Sequence, residues 1–288
     1  MKLGRVIRWE FAQNVRSKQF LVITLLIPAI VGLAVFAITR AIGADANEMA
    51  EPPPPVIVGV FLALILFLGA FMTGVMTMYG VMKEKQSRVA EMMLSSVSAW
   101  ELMSGKMIGL GLAGLIQVTA WAATAYFVAG MFFPVSLSAL TPVHWISYPL
   151  YFILGFLFIA SIFGTVGAAI KDIHSGGAIG LAGIIPYLPM MFTALIVQQP
   201  DLLWIRIAGF IPPFTPAVML LRIGAVPLAT DGARFVPAWE IAASLVSLAV
   251  GTFLMMRFAA KVFEVGMLMT GKTASFRELW RWGRRGAS

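Results

Sequence analysis

Six apolar runs alternate with shorter polar segments along the chain. A helix needs about 20 mainly apolar residues to cross a bilayer, so the runs predict spans over about 20–39, 56–82, 107–133, 146–170, 178–197 and 238–258. Inside them, acidic and basic side chains are confined to Glu240 and Arg257, near the ends of the last run. Pro186 and Pro189 predict a kink in the fifth, because proline lacks a backbone donor and crowds the preceding turn. Gly105, Gly109, Gly111 and Gly114 on the third run, and Gly176, Gly180 and Gly183 on the fifth, approximate the small-residue spacing that lets helices approach closely. Packing within one chain is the preferred reading of both sets over dimerisation.

Three segments carry other patterns. Leu3, Ile7, Phe11 and Val15 recur every four residues among Lys, Arg, Gln and Asn, which predicts an amphipathic helix over 1–19 lying flat at the cytoplasmic interface. The stretch AIGADANEMAEPPPP reads as a stiff extended spacer. The apolar region 201–237 is broken by Pro212, Pro213, Pro216 and Pro227, and predicts a pair of short helices dipping into the outer leaflet. The fold class expected is therefore an all-α integral membrane protein. A six-span domain over 20–262 follows the interfacial helix, and a cytoplasmic tail covers 263–288.

Composition agrees with a bilayer as solvent. The 288 residues are 60% hydrophobic and 12% charged, against about 25% charged in a soluble domain. A net charge of +8 raises the question of nucleic acid, but the basic residues flank the apolar runs. With both termini in the cytoplasm, only Arg40, Arg206, Arg222 and Arg234 of the 21 basic residues fall outside. The positive-inside rule thus favours a multi-pass protein of the inner (cytoplasmic) membrane, with the lipid bilayer and not nucleic acid as its partner. Cysteine is absent, which excludes disulfide and thiolate chemistry. The opening MKLGRVIRWEFAQNVRSKQ is too charged for a cleaved leader and is expected to be retained.

Several chemistries can be weighed and set aside. GMLMTGKT, from Gly266 to Thr273, fits the phosphate-loop pattern at every fixed position. Such a loop must follow a buried strand and open a helix, whereas RFAAKVFEV ahead of it continues the last span. The chain itself is therefore not expected to hydrolyse ATP, and no catalytic residue is assigned. His144 and His174 fall on opposite sides of the membrane, so no metal site is expected. Carriers that work alone usually hold ionisable groups inside their spans; the lack of any at mid-span weighs against a stand-alone channel or secondary carrier, the competing reading.

The stretch Tyr79–Gln117 carries the clearest signal. Glu84 and Arg88 stand four apart and Arg88 and Glu91 three apart, so they can pair along one helical face. Met92, Met93, Leu94, Val97 and Trp100 add an apolar surface beside them. One reading is a connector resting on headgroups. The other is a helix docking into a groove on a cytoplasmic partner, with flexible methionines filling it.

The motifs EKQSRVAEMMLSS, WELMSGKMIG and GLIQ, with WEFAQNVRSKQFLVITLLIPAI, IPPFTPAVMLLRIG and AAKVFEVGMLMTGKTASFRELWRW, resemble the permease subunits of type-2 ABC exporters. The sodium-export (NatB-like) group is the nearest likeness, and the resemblance covers most of the chain. It implies a six-span half-transporter that pairs with a second permease copy, as a homodimer or related heterodimer. Each half would bind a separate ABC ATPase carrying ATP and Mg, with no cofactor on this chain. By that likeness Glu84, Lys85, Arg88, Glu91, Met92, Met93 and Leu94 form a coupling helix over about 83–101, seated in the ATPase. Met72, Met76, Tyr79 and Phe192 would line a translocation path between the second and fifth spans. The substrate implied is sodium or an amphipathic lipid, antibiotic or peptide. One departure is plain: AIGADANEMAEPPPP stands where relatives often carry a large extracytoplasmic domain.

Overall fold

A computed structural model describes residues 2–18, 20–26, 28–30, 33, 55–86, 97–130, 142–170, 176–225 and 236–268. Nine helices are labelled here in chain order: α1 Lys2–Val15, α2 Pro55–Gln86, α3 Ala99–Gly130, α4 Pro142–Ala169, α5 Gly176–Met191, α6 Thr193–Gln198, α7 Leu203–Ala208, α8 Thr215–Ala225 and α9 Ala238–Leu268. No strand occurs among the described residues. Four of the helices, α2, α3, α4 and α9, are long and apolar enough to cross a membrane.

These four outrun the apolar runs that predict them. Helices α2 and α3 hold 32 residues each, about 48 Å at 1.5 Å per residue, against a hydrocarbon thickness of about 30 Å. The surplus carries charged residues such as Lys83–Lys85 on α2 and Arg257 and Lys261 on α9. Accordingly α9 reaches Leu268, past the expected start of the tail at 263.

Six full spans are not what the described residues display. The described part of the first run is a shorter apolar helix, Phe20–Ile30. Ser17 caps its start, Oγ accepting from the Phe20 N–H at 3.1 Å. The run over 178–197 is split: α5 ends at Met191, Phe192 is a turn, and α6 adds six residues. Pro186 and Pro189 both lie inside α5, and the Phe192 N–H bonds back only three residues, to the Pro189 carbonyl at 3.0 Å. The run is thus interrupted after the two prolines, one turn beyond Pro189. Region 201–237 contains the short helices α7 and α8.

Helix α1 also differs from a helix lying wholly on headgroups. Its Val6 and Glu10 are buried against α3. A Cβ at Gly105 would come 2.6 Å from Val6 Cγ1, and one at Gly109 would come 2.7 Å from Glu10 Cβ and 2.8 Å from the Ile7 carbonyl oxygen. The contacts run in the same order along both chains, so α1 lies beside α3 and points the same way. Here the glycine spacing serves packing within the chain.

Two apolar clusters hold the bundle. The larger joins α2, α4, α8 and α9 through Phe67, Met78, Tyr151, Phe156, Phe163, Leu221 and Leu248. Every residue of α8 is buried, and its apolar side chains from Ala217 to Leu221 belong to this cluster. The smaller cluster gathers Val6, Leu102, Met103, Met107, Ala168 and Phe263 where α1, α3, α4 and α9 meet.

Candidate functional site

Of the segment expected as a coupling helix over about 83–101, the described residues are its two ends, which belong to two long helices. Residues 83–86 are the last turn of α2, 99–101 are the first turn of α3, and Val97 and Ser98 are not helical. Arg88, Glu91, Met92, Met93 and Leu94 lie outside the described residues.

Helix α3 begins where it does because of Ser98-Ala99-Trp100-Glu101. The Glu101 N–H donates to Ser98 Oγ at 3.2 Å, and the Ser98 N–H donates to Glu101 Oε2 at 3.1 Å. This reciprocal pair satisfies donors that a helix start otherwise leaves unpaired. The S-x-x-E spacing is readable in the sequence, and it is the signal that would have marked the start of α3.

Consecutive residues of a helix point about 100° apart, and at the end of α2 this sends two side chains to different neighbours. Glu84 accepts from Lys106 Nζ of α3 at 2.7 Å. The same ammonium donates to Glu10 of α1 at 2.5 Å. The side chains of Glu10 and Lys106 are each 3% exposed and that of Glu84 is 16% exposed. Lys85 turns the other way, its Nζ donating to the Ala168 carbonyl near the end of α4 at 3.0 Å. Gly266 of α9 sits against that carbonyl, where a Cβ would come 2.6 Å from the oxygen. Thus the end of α2 is tied to α1 and α3 by one residue, and to α4 beside α9 by the next.

Electrostatics explain why these charges meet. A buried ion without a partner is costly, and one ammonium here serves two carboxylates. Burial pushes the Glu10 carboxyl above its ordinary range; Lys106 pulls it down in part, and the Glu84 carboxylate adds to the rise. The sequence marks Lys106 only as the start of a span, and Glu10 as one charge on an amphipathic helix. Their partners stand 96 and 22 residues away, beyond the reach of any spacing rule.

The residues expected to line a path lie on α2 and just after α5. Met72 and Met76 are half-buried and Tyr79 is exposed along α2. Helix α5 meets α2 through other residues: Tyr187 donates to the Phe67 carbonyl at 2.6 Å, and its ring packs edge-on to Phe71. Phe192, at the break after α5, has its ring edge-on to Trp204 of α7 with centroids 5.9 Å apart.

A second ionic cluster lies at the opposite end of α9. Arg222 of α8 is fully buried; its Nη1 stands 2.9 Å from Glu240 Oε2 and its Nε donates to the Pro200 carbonyl at 2.8 Å. Arg206 of α7 bonds the other oxygen of Glu240. His144 Nε2 lies 3.2 Å from the Ile223 carbonyl; His174 is outside the described residues. The first residues of GMLMTGKT, Gly266–Leu268, close helix α9 rather than following a strand.

Residues 50–261, more than half of the chain, match the family model described as ABC-2 family transporter protein. The chain is also similar to the uncharacterized protein YhaP of Bacillus subtilis, at 24% identity over 76% of this chain and 53% of that protein. The uncharacterized protein MJ1024 of Methanocaldococcus jannaschii is 27% identical over 66% of this chain and 44% of its own length. The chain thus spans about half the length of the curated relatives it matches.

Proposed function

Since the chain belongs to the ABC-2 transporter family, a group of multi-pass membrane components, we propose that it is the permease subunit of an ATP-driven exporter whose ATPase is a separate polypeptide. The observation that carries this reading is the junction at the end of α2, just before the 87–96 segment, where Glu84 and Lys85 fasten α2 to α1, α3 and α4, with α9 packed beside the Lys85 tie. A push on that segment is delivered at once to α1, α3, α4 and α9, which is what a mechanical input requires.

In this reading both termini are cytoplasmic and the Glu84 end faces the partner. Arg88, Glu91, Met92, Met93 and Leu94 dock on the ATPase, whereas Glu84 and Lys85 act inside the permease. Nucleotide binding to the partner supplies the differential affinity that any ligand-driven change needs. Two copies build the path, and sodium or an amphipathic compound is the cargo. The test is to substitute Arg88 and Glu91 together, then measure ATPase copurification and cargo-stimulated hydrolysis in proteoliposomes. Loss of both with an intact permease supports the docking role; wild-type values for both would sink it.

A further inference from the structure

We propose that α1 and α3 together form a binding site for one anionic phospholipid. Between them lies an open cleft of about 440 Å³ lined by Phe11, Leu112, Leu115, Ile116 and Thr119. Its one polar lining group is spent internally, because Thr119 Oγ1 donates to the Leu115 carbonyl at 2.7 Å. The cleft therefore offers no free donor, and its mainly apolar lining suits an acyl chain.

Charge is found at one end of it. Arg8 is exposed and precedes Phe11, the lining residue of α1, by three residues on the same helix, one turn nearer its N-terminus. Side chains of a helix lean toward its N-terminus, which carries the Arg8 guanidinium away from the apolar lining, toward the Glu84 end of the bundle. The only acidic residue of α1, Glu10, is buried on Lys106, so the exposed charges of this segment, Arg5, Arg8, Arg16 and Lys18, are all positive. A phosphate on Arg8 with its chain running along Leu112, Leu115 and Ile116 follows the order in which α1 and α3 run side by side. A zwitterionic lipid would satisfy the cleft but not the excess charge. The proposal needs only the bilayer, not an ATPase, so its failure and that of the coupling reading are separable.

The absence of cysteine makes the test direct. Ile116→Cys, at a position 45% exposed, carries a fluorophore on the whole chain in nanodiscs of phosphatidylcholine with increasing phosphatidylglycerol. Either lipid is supplied with brominated chains as a quencher. Brominated phosphatidylglycerol is expected to quench at mole fractions about fivefold lower than brominated phosphatidylcholine, as one basic side chain near a membrane surface allows. Arg8→Gln removes that preference, Arg8→Lys keeps it and shows that the helix still packs, and Thr119→Trp fills the cleft and lowers quenching by both lipids. Equal quenching by the two lipids, or a preference that survives Arg8→Gln, overturns the site. So does shielding from both lipids with energy transfer between labelled copies, which would assign the cleft to a second permease.

Discussion

The two ends of the bundle solve the problem of buried charge in opposite ways. At the Glu84 end one ammonium is shared by two carboxylates; at the Glu240 end one carboxylate is shared by two guanidinium groups. Glutamate can take up a proton when its cation leaves, whereas arginine cannot lose one. The first cluster is therefore adjustable. The second is fixed, and it is held by a helix whose every residue is buried. An exporter moved from the Glu84 end would use such an asymmetry: compliance where the input arrives, a rigid seat where α7 and α8 meet the last span.

The contrast can be broken by substitution. Arg222→Ala is expected to cost most, about 3–5 kcal/mol, because it leaves a buried carboxylate without one of its cations and a carbonyl without its donor. Thermal unfolding in detergent would show it, and Arg222→Lys should recover little, since an ammonium cannot reproduce the fork. Lys106→Met should cost less, about 1–3 kcal/mol, because methionine keeps most of the buried stem, where Arg222→Ala empties the largest fully buried side chain, and because Glu84 is partly open to water and the carboxylates left behind can be protonated. Its penalty should shrink on going from pH 8 to pH 5; a penalty independent of pH would mean the clusters do not differ as argued. Ser98→Ala removes the cap of α3 and is expected to cost about 1 kcal/mol, readable as faster proteolysis between α2 and α3.

The smallest effect belongs to Glu10→Gln. Burial holds the folded-state pKa of Glu10 above its unfolded value. Its contribution is then fully present below the ordinary carboxylate pKa and is lost as pH rises through the raised one. Glutamine carries no such loss, so the stability of wild type relative to the variant should fall as pH climbs past the carboxylate range. A difference that grows with pH would reverse the sign and show that Lys106 outweighs desolvation at this site.

The spans were legible because hydrocarbon tolerates little but apolar side chains, and that constraint is written locally. Their ends were not. Beyond the bilayer a helix continues through Lys83–Lys85 or Arg257 as readily as through leucine, so apolar runs under-read α2, α3 and α9. Pro186 and Pro189 announced a disturbance in the fifth run, yet not that the chain would turn at Phe192. The glycines at 105 and 109 announced a close neighbour, but its identity, α1, is a matter of tertiary packing. The same holds for Lys106: a lysine at the edge of an apolar run demands partners, and only the fold says that they are Glu10 and Glu84.

Lys85 is fastened to a peptide oxygen rather than to a side chain. No replacement at position 168 that leaves the helix intact can delete that acceptor, so heredity reaches the tie through the lysine itself or through bulk placed beside the oxygen. At position 168, where the alanine is itself fully buried, a replacement disturbs the tie only through its bulk, as at Gly266, whereas at 85 it removes the donor outright.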